Sequence, residues 1–275
     1  MGATERSADF VLGEDGVTEG LALSGEMRWN QNEADWRFFL REGTVFAFRE
    51  AAGTVVATAA ILPFGGIAWI SLVLVSQAFR RRGHASRLVG ACLSQADAAR
   101  WQCWLDATPD GAKVYEPLGF ETVDELVRMR RRATSGVGLG EGVVEAGALD
   151  RLITLDAQAI GVSREKLLRD LVARAGSRLY AAEDAVCLVR DGRRARHIGP
   201  ACAGESDGVA LLENVVRSEP GELIIDLYRR NADAHRYLSA QGFVEERPFL
   251  RMRRGASPTT PDGRVAFASV GPEYG

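Results

Sequence analysis

The sequence predicts an α/β (α+β) chain built from two tandem copies of one strand-and-helix fold, and three observations predict it. The first is an apolar run, Ile67 to Val75, which meets Gln77-Ala78-Phe79 and then the basic turn Arg80-Arg81-Arg82-Gly83-His84-Ala85-Ser86; Ala85, Leu88, Val89 and Cys92 follow at helical spacing. That order reads as a buried strand, an anion-holding turn and a helix. The second is an internal repeat. Gly119-Phe120, seven residues and Arg128-Met129-Arg130-Arg131 recur as Gly242-Phe243, seven residues and Arg251-Met252-Arg253-Arg254. Each copy follows an apolar strand that reaches an aspartate, Trp104-Leu105-Asp106 or Ile224-Ile225-Asp226, and a short helical stretch. The third is length: 275 residues give each half enough chain for its own core.

Taken in order, Asp9 to Gly13 reads as a strand and Val17 to Met27 as a helix. Asn32 caps a second helix through Trp36, Phe38 and Phe39, and Gly43 stops it. Trp36 is expected in the core. Thr44–Arg49 and Val55–Leu62 form a hairpin, and Pro63-Phe64-Gly65-Gly66 turns into the long fourth strand. Gln102–Ala107 is a fifth strand and Asp110–Leu118 a short helix ended by Gly119. Phe120–Val123 and Leu126–Arg131 close the first domain, residues 1–134. Ser135 to Gly142, with four glycines in eight residues, is the linker. The second domain, 143–255, has helices at Leu149–Gln158 and Arg164–Arg174, and strands at Tyr180–Ala182, Ala185–Arg190 and Ala195–Ile198. It continues with a helix at Gly208–Val216, a strand at Leu223–Leu227 and a helix at Ala232–Ala240. In the tail, 256–275, Arg264–Val270 could add an edge strand or lie over the surface.

The turn after the fourth strand is the chemical signal. Backbone N–H groups at a helix start are unpaired donors, the helix dipole adds positive potential, and Gly83 lets a bulky anion approach without a Cβ in the way. A pyrophosphate fits there. With Arg80, Gly83 and Ala85 matching R/Q-x-x-G-x-G/A after the fourth strand, the sequence resembles the GNAT acyltransferase superfamily, and the resemblance covers nearly the whole chain. It looks like the tandem GNAT proteins whose second half is a degenerate copy. The resemblance implies a mixed, mostly antiparallel sheet flanked by helices in each copy, with acetyl-CoA or another acyl-CoA as co-substrate. Arg80, Arg81, Arg82, Gly83, His84, Ala85 and Ser86 would then hold the pyrophosphate. Backbone of Val73, Leu74 and Val75 would pair with the pantetheine arm, one N–H polarising the thioester carbonyl. Tyr115 matches the family's general acid; a phenol, ordinarily near pKa 10, can donate to a thiolate leaving group of about 8.5. Trp29 and Asn30 lie where the superfamily binds acceptors.

The base is less legible. Asp106, at the end of the fifth strand, could reach an acceptor amine directly or through water, or could equally cap the turn at Thr108-Pro109-Asp110. The second copy departs from the first where chemistry would be. After Arg196-His197-Ile198, Gly199 to Asp207 offers no arginine, two acids, and a proline that deletes an N–H donor. Tyr115, four residues before its glycine, is matched by Leu238, with Tyr237 one step round the helix.

Composition limits the rest. With 46% apolar and 26% charged residues and a net charge of -3, the chain is ordinary globular protein, and no nucleic-acid or anionic-membrane partner is expected. No apolar run suffices for a membrane span, and the start lacks a signal core. Cys92, Cys103, Cys187 and Cys202 read as reduced core residues of a cytoplasmic protein; three scattered His and no Cys-x-x-Cys argue against a metal. The expected function is an acyl-CoA-dependent N-acyltransferase acting on a small-molecule amine in its first domain. Two alternatives stay open: a transferase fed by the phosphopantetheine thioester of an acyl carrier protein, drawn to Arg81, Arg82 and Arg87, and an acyl-CoA sensor without turnover.

Overall fold

The structure, a computed structural model, describes residues 9–133, 147–204, 208–256 and 261–275. The chain divides into two compact units, Met1–Leu105 and Asp106–Gly275. The linker read at Ser135 to Gly142 lies outside the described residues, as do Glu205, Ser206 and Asp207.

In the first unit β1 (Asp9–Val11), β2 (Thr44–Arg49), β3 (Val55–Phe64), β4 (Ile67–Val75) and the start of β5 (Gln102–Ala107) lie side by side in chain order. Pairing is antiparallel from β1 to β4 and parallel between β4 and β5. Helices α1 (Val17–Glu26), α2 (Glu33–Glu42) and α3 (His84–Ala99) cover the sheet. Asn32 starts α2 with a capping box, its Oδ1 accepting from Asp35 N at 3.1 Å while Asp35 Oδ2 accepts from Asn32 N at 2.9 Å. Such a cap contributes about 1 kcal/mol. Gly20 allows α1 to meet α2 closely, since a Cβ there would lie 2.3 Å from the Trp36 indole. Trp36 is fully buried, and its Nε1 donates to Ser24 Oγ at 3.0 Å. On α3, Leu88, Val89, Cys92, Leu93 and Ala96 face inward at the helical spacing of the sequence.

The second unit holds the last two residues of β5, α4 (Pro109–Tyr115), β6 (Glu121–Arg131), α5 (Ala148–Ile160), α6 (Glu165–Ala173), β7 (Arg178–Ala182), β8 (Ala185–Arg190) and β9 (Arg196–Ala203). It continues with α7 (Gly208–Ser218), β10 (Leu223–Tyr228), α8 (Ala232–Ala240), β11 (Val244–Arg254) and β12 (Ala266–Ala268). Its strands are ordered β11-β6-β10-β12-β9-β8-β7. Leu211, Leu212, Val215 and Val216 of α7 and Leu238 of α8 pack on Val127, Val189, Ile198 and Ile225 to make the core.

Two expectations change here. Gly199 and Pro200 do not open a loop, because β9 runs on to Ala203. The ladder to β8 passes from Ile198–Val189 to Ala201–Cys187 and skips both residues, so a residue with no N–H costs the sheet no hydrogen bond. Nor does the tail form an edge strand. β12 sits inside the sheet, with Ala266 and Ala268 opposite Cys202 and Ala201 of β9, and Ala268 opposite Leu227 of β10.

The repeat acquires a structural meaning in this unit. β6, from the first copy, pairs with β10 of the second copy on one side and with β11 on the other. Leu126 and Phe249, each the sixth residue after its Gly-Phe, stand opposite one another, so the β6–β11 ladder relates the two copies by a local two-fold axis. Its two bulges obey the same axis: the ladder skips Val123 and Glu246, each the third residue after its Gly-Phe. The arginines are exchanged accordingly. Arg128 of the first copy grips Asp226 of the second (Nε to Oδ1 2.8 Å, Nη2 to Oδ2 2.7 Å), and Arg251 of the second grips Asp106 of the first (2.9 and 2.8 Å). All four side chains are buried. Each half of the sequence therefore lends its last strand's arginine to the other half, and the compact division at Leu105 falls before that exchange.

Candidate active site

Parallel pairing of β4 with β5 joins Ile67 to Gln102, Ala68 to Cys103 and Trp69 to Trp104, and the ladder ends there. The two indoles stack at 6.3 Å and 14°, while β4 continues to Val75. Three residues past Trp69 the strand is deflected. Leu72 has φ 48°, the β3–β4 register shifts between Thr58–Leu74 and Ala60–Ser71, and buried Thr58 donates Oγ1 to Leu72 O at 2.8 Å. A polar residue inside the apolar run Val55–Leu62 is the sequence trace of this bulge, and apolar patterning alone passes over it. Leu74 and Val75 thus keep β3 on one edge, Val73 lies in the skipped register, and among the described residues β5 no longer pairs with β4 on the other edge. Leu74 is buried, whereas Val73 and Val75 are half-buried. Another unforeseen residue fixes the exit from β4: Glu26 at the end of α1 accepts from Ser76 Oγ at 3.1 Å and Gln77 N at 2.6 Å.

The basic turn comes next. Gly83 has φ 82° and ψ 0° and stands at the N-cap of α3 without a side-chain cap; Arg87 N closes the first helical turn on Gly83 O at 3.0 Å. The N–H groups of His84, Ala85 and Ser86 therefore precede the helical ladder, and the first turn carries no acid. A Cβ built on Gly83 would meet nothing within 4 Å, so the space above the helix end is open. The arginines divide their work. Arg80 turns back to Val75 O (3.3 Å) and Met27 Sδ (2.7 Å), Arg82 donates to Ala78 O (3.0 Å) over the Phe79 ring, and Arg87 pairs with Asp9. Arg81, at φ 60°, is exposed. His84 lies against Phe48, ring centroids 4.1 Å apart, and so faces the sheet.

Between α1 and α2, Arg28 at φ 56° turns the chain and Trp29 N donates to Ser24 O at 2.9 Å. Trp29 is half-buried and Asn30 buried.

In the second unit Thr108 caps α4, its Oγ1 accepting from Gly111 N at 3.2 Å, and Pro109 supplies the first helical residue. Tyr115 ends the helix half-buried, its ring edge-on to Phe120 at 5.9 Å, and Gly119 at φ 88° reverses the chain. Asp106 neither caps this turn nor stands free as a base. Both its oxygens accept from Arg251, whose Nη1 also donates to the Tyr228 hydroxyl. Burial pushes the Asp106 carboxyl up, against the opposing pull of the guanidinium. At Asp226 burial acts in the same sense, but the Arg128 charge and the hydrogen bonds from His197 and Arg128 outweigh it and hold the carboxyl well below the ordinary range. His197 Nε2 lies 3.0 Å from Asp226 Oδ2, and burial lowers the imidazole pKa against the opposing pull of that carboxylate.

The same anatomy recurs in the second copy with its opening filled. β9 and β10 pair in parallel over Arg196–Leu223, His197–Ile224 and Ile198–Ile225 and then part. β12 occupies the gap, Ser269 N donates to Asp226 O at 3.0 Å, and a Cβ on Gly199 would lie 2.0 Å from Ser269 O. Phe267 covers the start of α7 so closely that a Cβ on Gly208 would lie 2.4 Å from its ring. Arg190 ties the following segment down through Val270 O (2.9 Å) and Glu273 (2.7 Å).

All four cysteines are buried. Among the described residues no group of three or more His, Cys, Asp and Glu could hold a metal ion, and no helix is long and apolar enough to cross a membrane.

With this geometry in view, the comparisons agree on one family. Residues 18–120 match the family described as acetyltransferase (GNAT) family, and residues 152–268 match the acetyltransferase (GNAT) domain. A Bacillus subtilis (strain 168) protein named "Uncharacterized N-acetyltransferase YitH" is 24% identical over 258 residues, covering 89% of this chain and 91% of its own. Two solved structures share the fold. One, from Pyrococcus horikoshii and described as "A Putative Acetyltransferase", has a TM-score of 0.80 at 19% identity and covers 99% of this chain and 97% of its own. The other, described as a tandem GNAT protein from the clavulanic acid biosynthesis pathway, has a TM-score of 0.66 at 16% identity and covers 93% of this chain and 100% of its own.

Proposed function

Because the chain belongs to the GNAT acetyltransferase family, we propose that its first copy moves an acetyl group from acetyl-CoA to the amine of a small molecule, and that its second copy is non-catalytic. The observation that carries the reading is the contrast between two equivalent openings. The β4–β5 opening has an unpaired strand edge beside a glycine-started helix, whereas the β9–β10 opening is filled by the chain itself. An extended, hydrogen-bonding ligand with an anionic end suits the first. Pyrophosphate would sit on the N–H groups of His84, Ala85 and Ser86, with Arg81 and Arg82 at the rim, and the pantetheine amides would lie along Val73, Leu74 and Val75.

For the chemistry, the acyl carbonyl carbon gains a bond to the amine nitrogen and loses its bond to sulfur. A β4 backbone N–H would stabilise the charge building on the carbonyl oxygen. Tyr115 would give its phenolic proton to the departing thiolate, and the nitrogen would lose its extra proton to water, since Arg251 occupies the Asp106 carboxylate. Trp29 and Asn30 would face the acceptor.

Calorimetric titration with acetyl-CoA should give one site per chain, and thiol release should depend on an amine found by screening amino acids, polyamines and aminoglycosides. Two equivalents bound, or none, would overturn the reading. Binding without any amine-dependent thiol release would favour the sensor instead.

A further inference from the structure

The helix that carries Tyr115 is flanked by β11 of the other copy, which grips the aspartate before its cap and lies against the turn that follows it. At its start, Asp106 lies two residues before the Thr108 cap and is gripped through both oxygens by Arg251 of β11. Past its end, Gly119 closes the following turn against Arg254 of β11, whose Nε would be 3.7 Å from a Cβ placed there. Next to it, Arg253 Nε donates to Glu121 Oε1 at 2.9 Å. Arg251 is in turn steadied by the Tyr228 hydroxyl, and its guanidinium lies 5.0 Å from that ring. Three arginines of one repeat motif thus frame α4 and the turn after it.

From this we infer that Arg251 is a positioning residue for acyl transfer, by which the non-catalytic copy sets the place of the Tyr115 hydroxyl through Asp106 and α4. The inference rests on the reading of Tyr115 as the acid. A general acid acts only over hydrogen-bond distance, so a displacement of its helix by a fraction of an ångström shows in turnover before it shows in ligand binding. The repeat supplies a matched control. Arg128–Asp226 has the same bidentate geometry, the same burial and the same place in its motif, but the helix beyond it, α8, has Leu238 in the position of the tyrosine. It also has a second support, since His197 holds Asp226 from β9.

Arg251→Lys and Arg128→Lys keep the buried charge and remove the planar fork. The expected result is a kcat lowered about tenfold or more in Arg251→Lys and within about twofold of wild type in Arg128→Lys, per folded molecule and with the Kd for acetyl-CoA unchanged in both. If either variant does not fold, the neutral pairs Asp106→Asn with Arg251→Gln and Asp226→Asn with Arg128→Gln leave no orphan charge and are compared in the same way. Equal loss of kcat in the two members of a comparison would overturn the inference, as would weakened acetyl-CoA binding with kcat intact. Tyr115→Phe measured alongside separates the two claims: full activity there removes the acid itself, whereas an inactive Tyr115→Phe beside a fully active Arg251→Lys removes only the positioning role.

Discussion

Two openings of the same origin sit in one chain: along β4 the pairing with β5 stops and no other described strand takes its place, whereas the second is filled by β12. In each, two parallel strands hold together for three residue pairs and then part. Beyond the point of parting, the two differ in chemistry. Past β4 the chain offers bare backbone, a glycine in the left-handed region and exposed arginines; past β9 it offers an alanine-rich strand and a phenylalanine that take up the same kind of space. The lesson is that an opened parallel pair is an energetic liability, with strand edges that must be satisfied. One copy meets the demand from within, through β12; in the proposed reading the other meets it with a ligand.

The largest expected effect tests whether the copies can be parted at all. A chain cut after Arg132 strands Asp106 without Arg251 and deprives β6 of both neighbours, β10 and β11. Breaking one such buried pair from one side costs about 3–5 kcal/mol, a large share of a domain's stability. The fragment should lack a cooperative thermal transition in circular dichroism, and a sharp transition would show the exchange to be dispensable.

Next come the two glycines that stand at the two helix starts. Gly83→Val forces a branched residue to φ 82° and fills the open space, so it should abolish acetyl-CoA binding in calorimetry while the fold survives. Gly208→Val collides with Phe267 and should do the reverse, lowering the melting temperature and leaving the affinity of folded molecules intact. The same outcome from both would erase the distinction between open and filled.

For the tyrosines, Tyr115→Phe should lower kcat about 10²-fold or more with little change in acetyl-CoA affinity, whereas Tyr237→Phe should leave both alone. Steady-state kinetics on the screened amine decides it. The smallest effect is in pH. Asp226 is held below its unfolded value of 3.8, so it contributes stability at neutral pH that fades as pH falls through the range below that value. Urea midpoints between about pH 4.5 and 2 should therefore drop more steeply in wild type than in Asp226→Asn, and parallel curves would assign the acid limb to other groups.

Much of this comparison was written locally. The bounds of β2, β4 and β5 follow from apolar runs and turn residues, and the start of α2 from Asn32 and Asp35, because each depends on neighbours a few residues away. Gly83 and its helix were legible for the same reason. The exchange of β6 and β11 was not, since Gly-Phe, seven residues and Arg-Met-Arg-Arg are the same in both copies. Either arginine could satisfy either aspartate by local rules, and only the completed sheet decides. β12 escaped likewise: Ala266-Phe267-Ala268 is too short and too small to announce a central strand, and its place is set by β9 and β10, whose sequences do not mention it.

The distance along the chain between Asp106 and Arg251 also orders events in time. They are 145 residues apart, against 98 for Arg128 and Asp226. During synthesis, α4 has its tyrosine long before it has its anchor, and long-range pairings of this kind form late. A ribosome that stalls before Arg251 releases a chain already carrying the phenol but not the strand that flanks its helix.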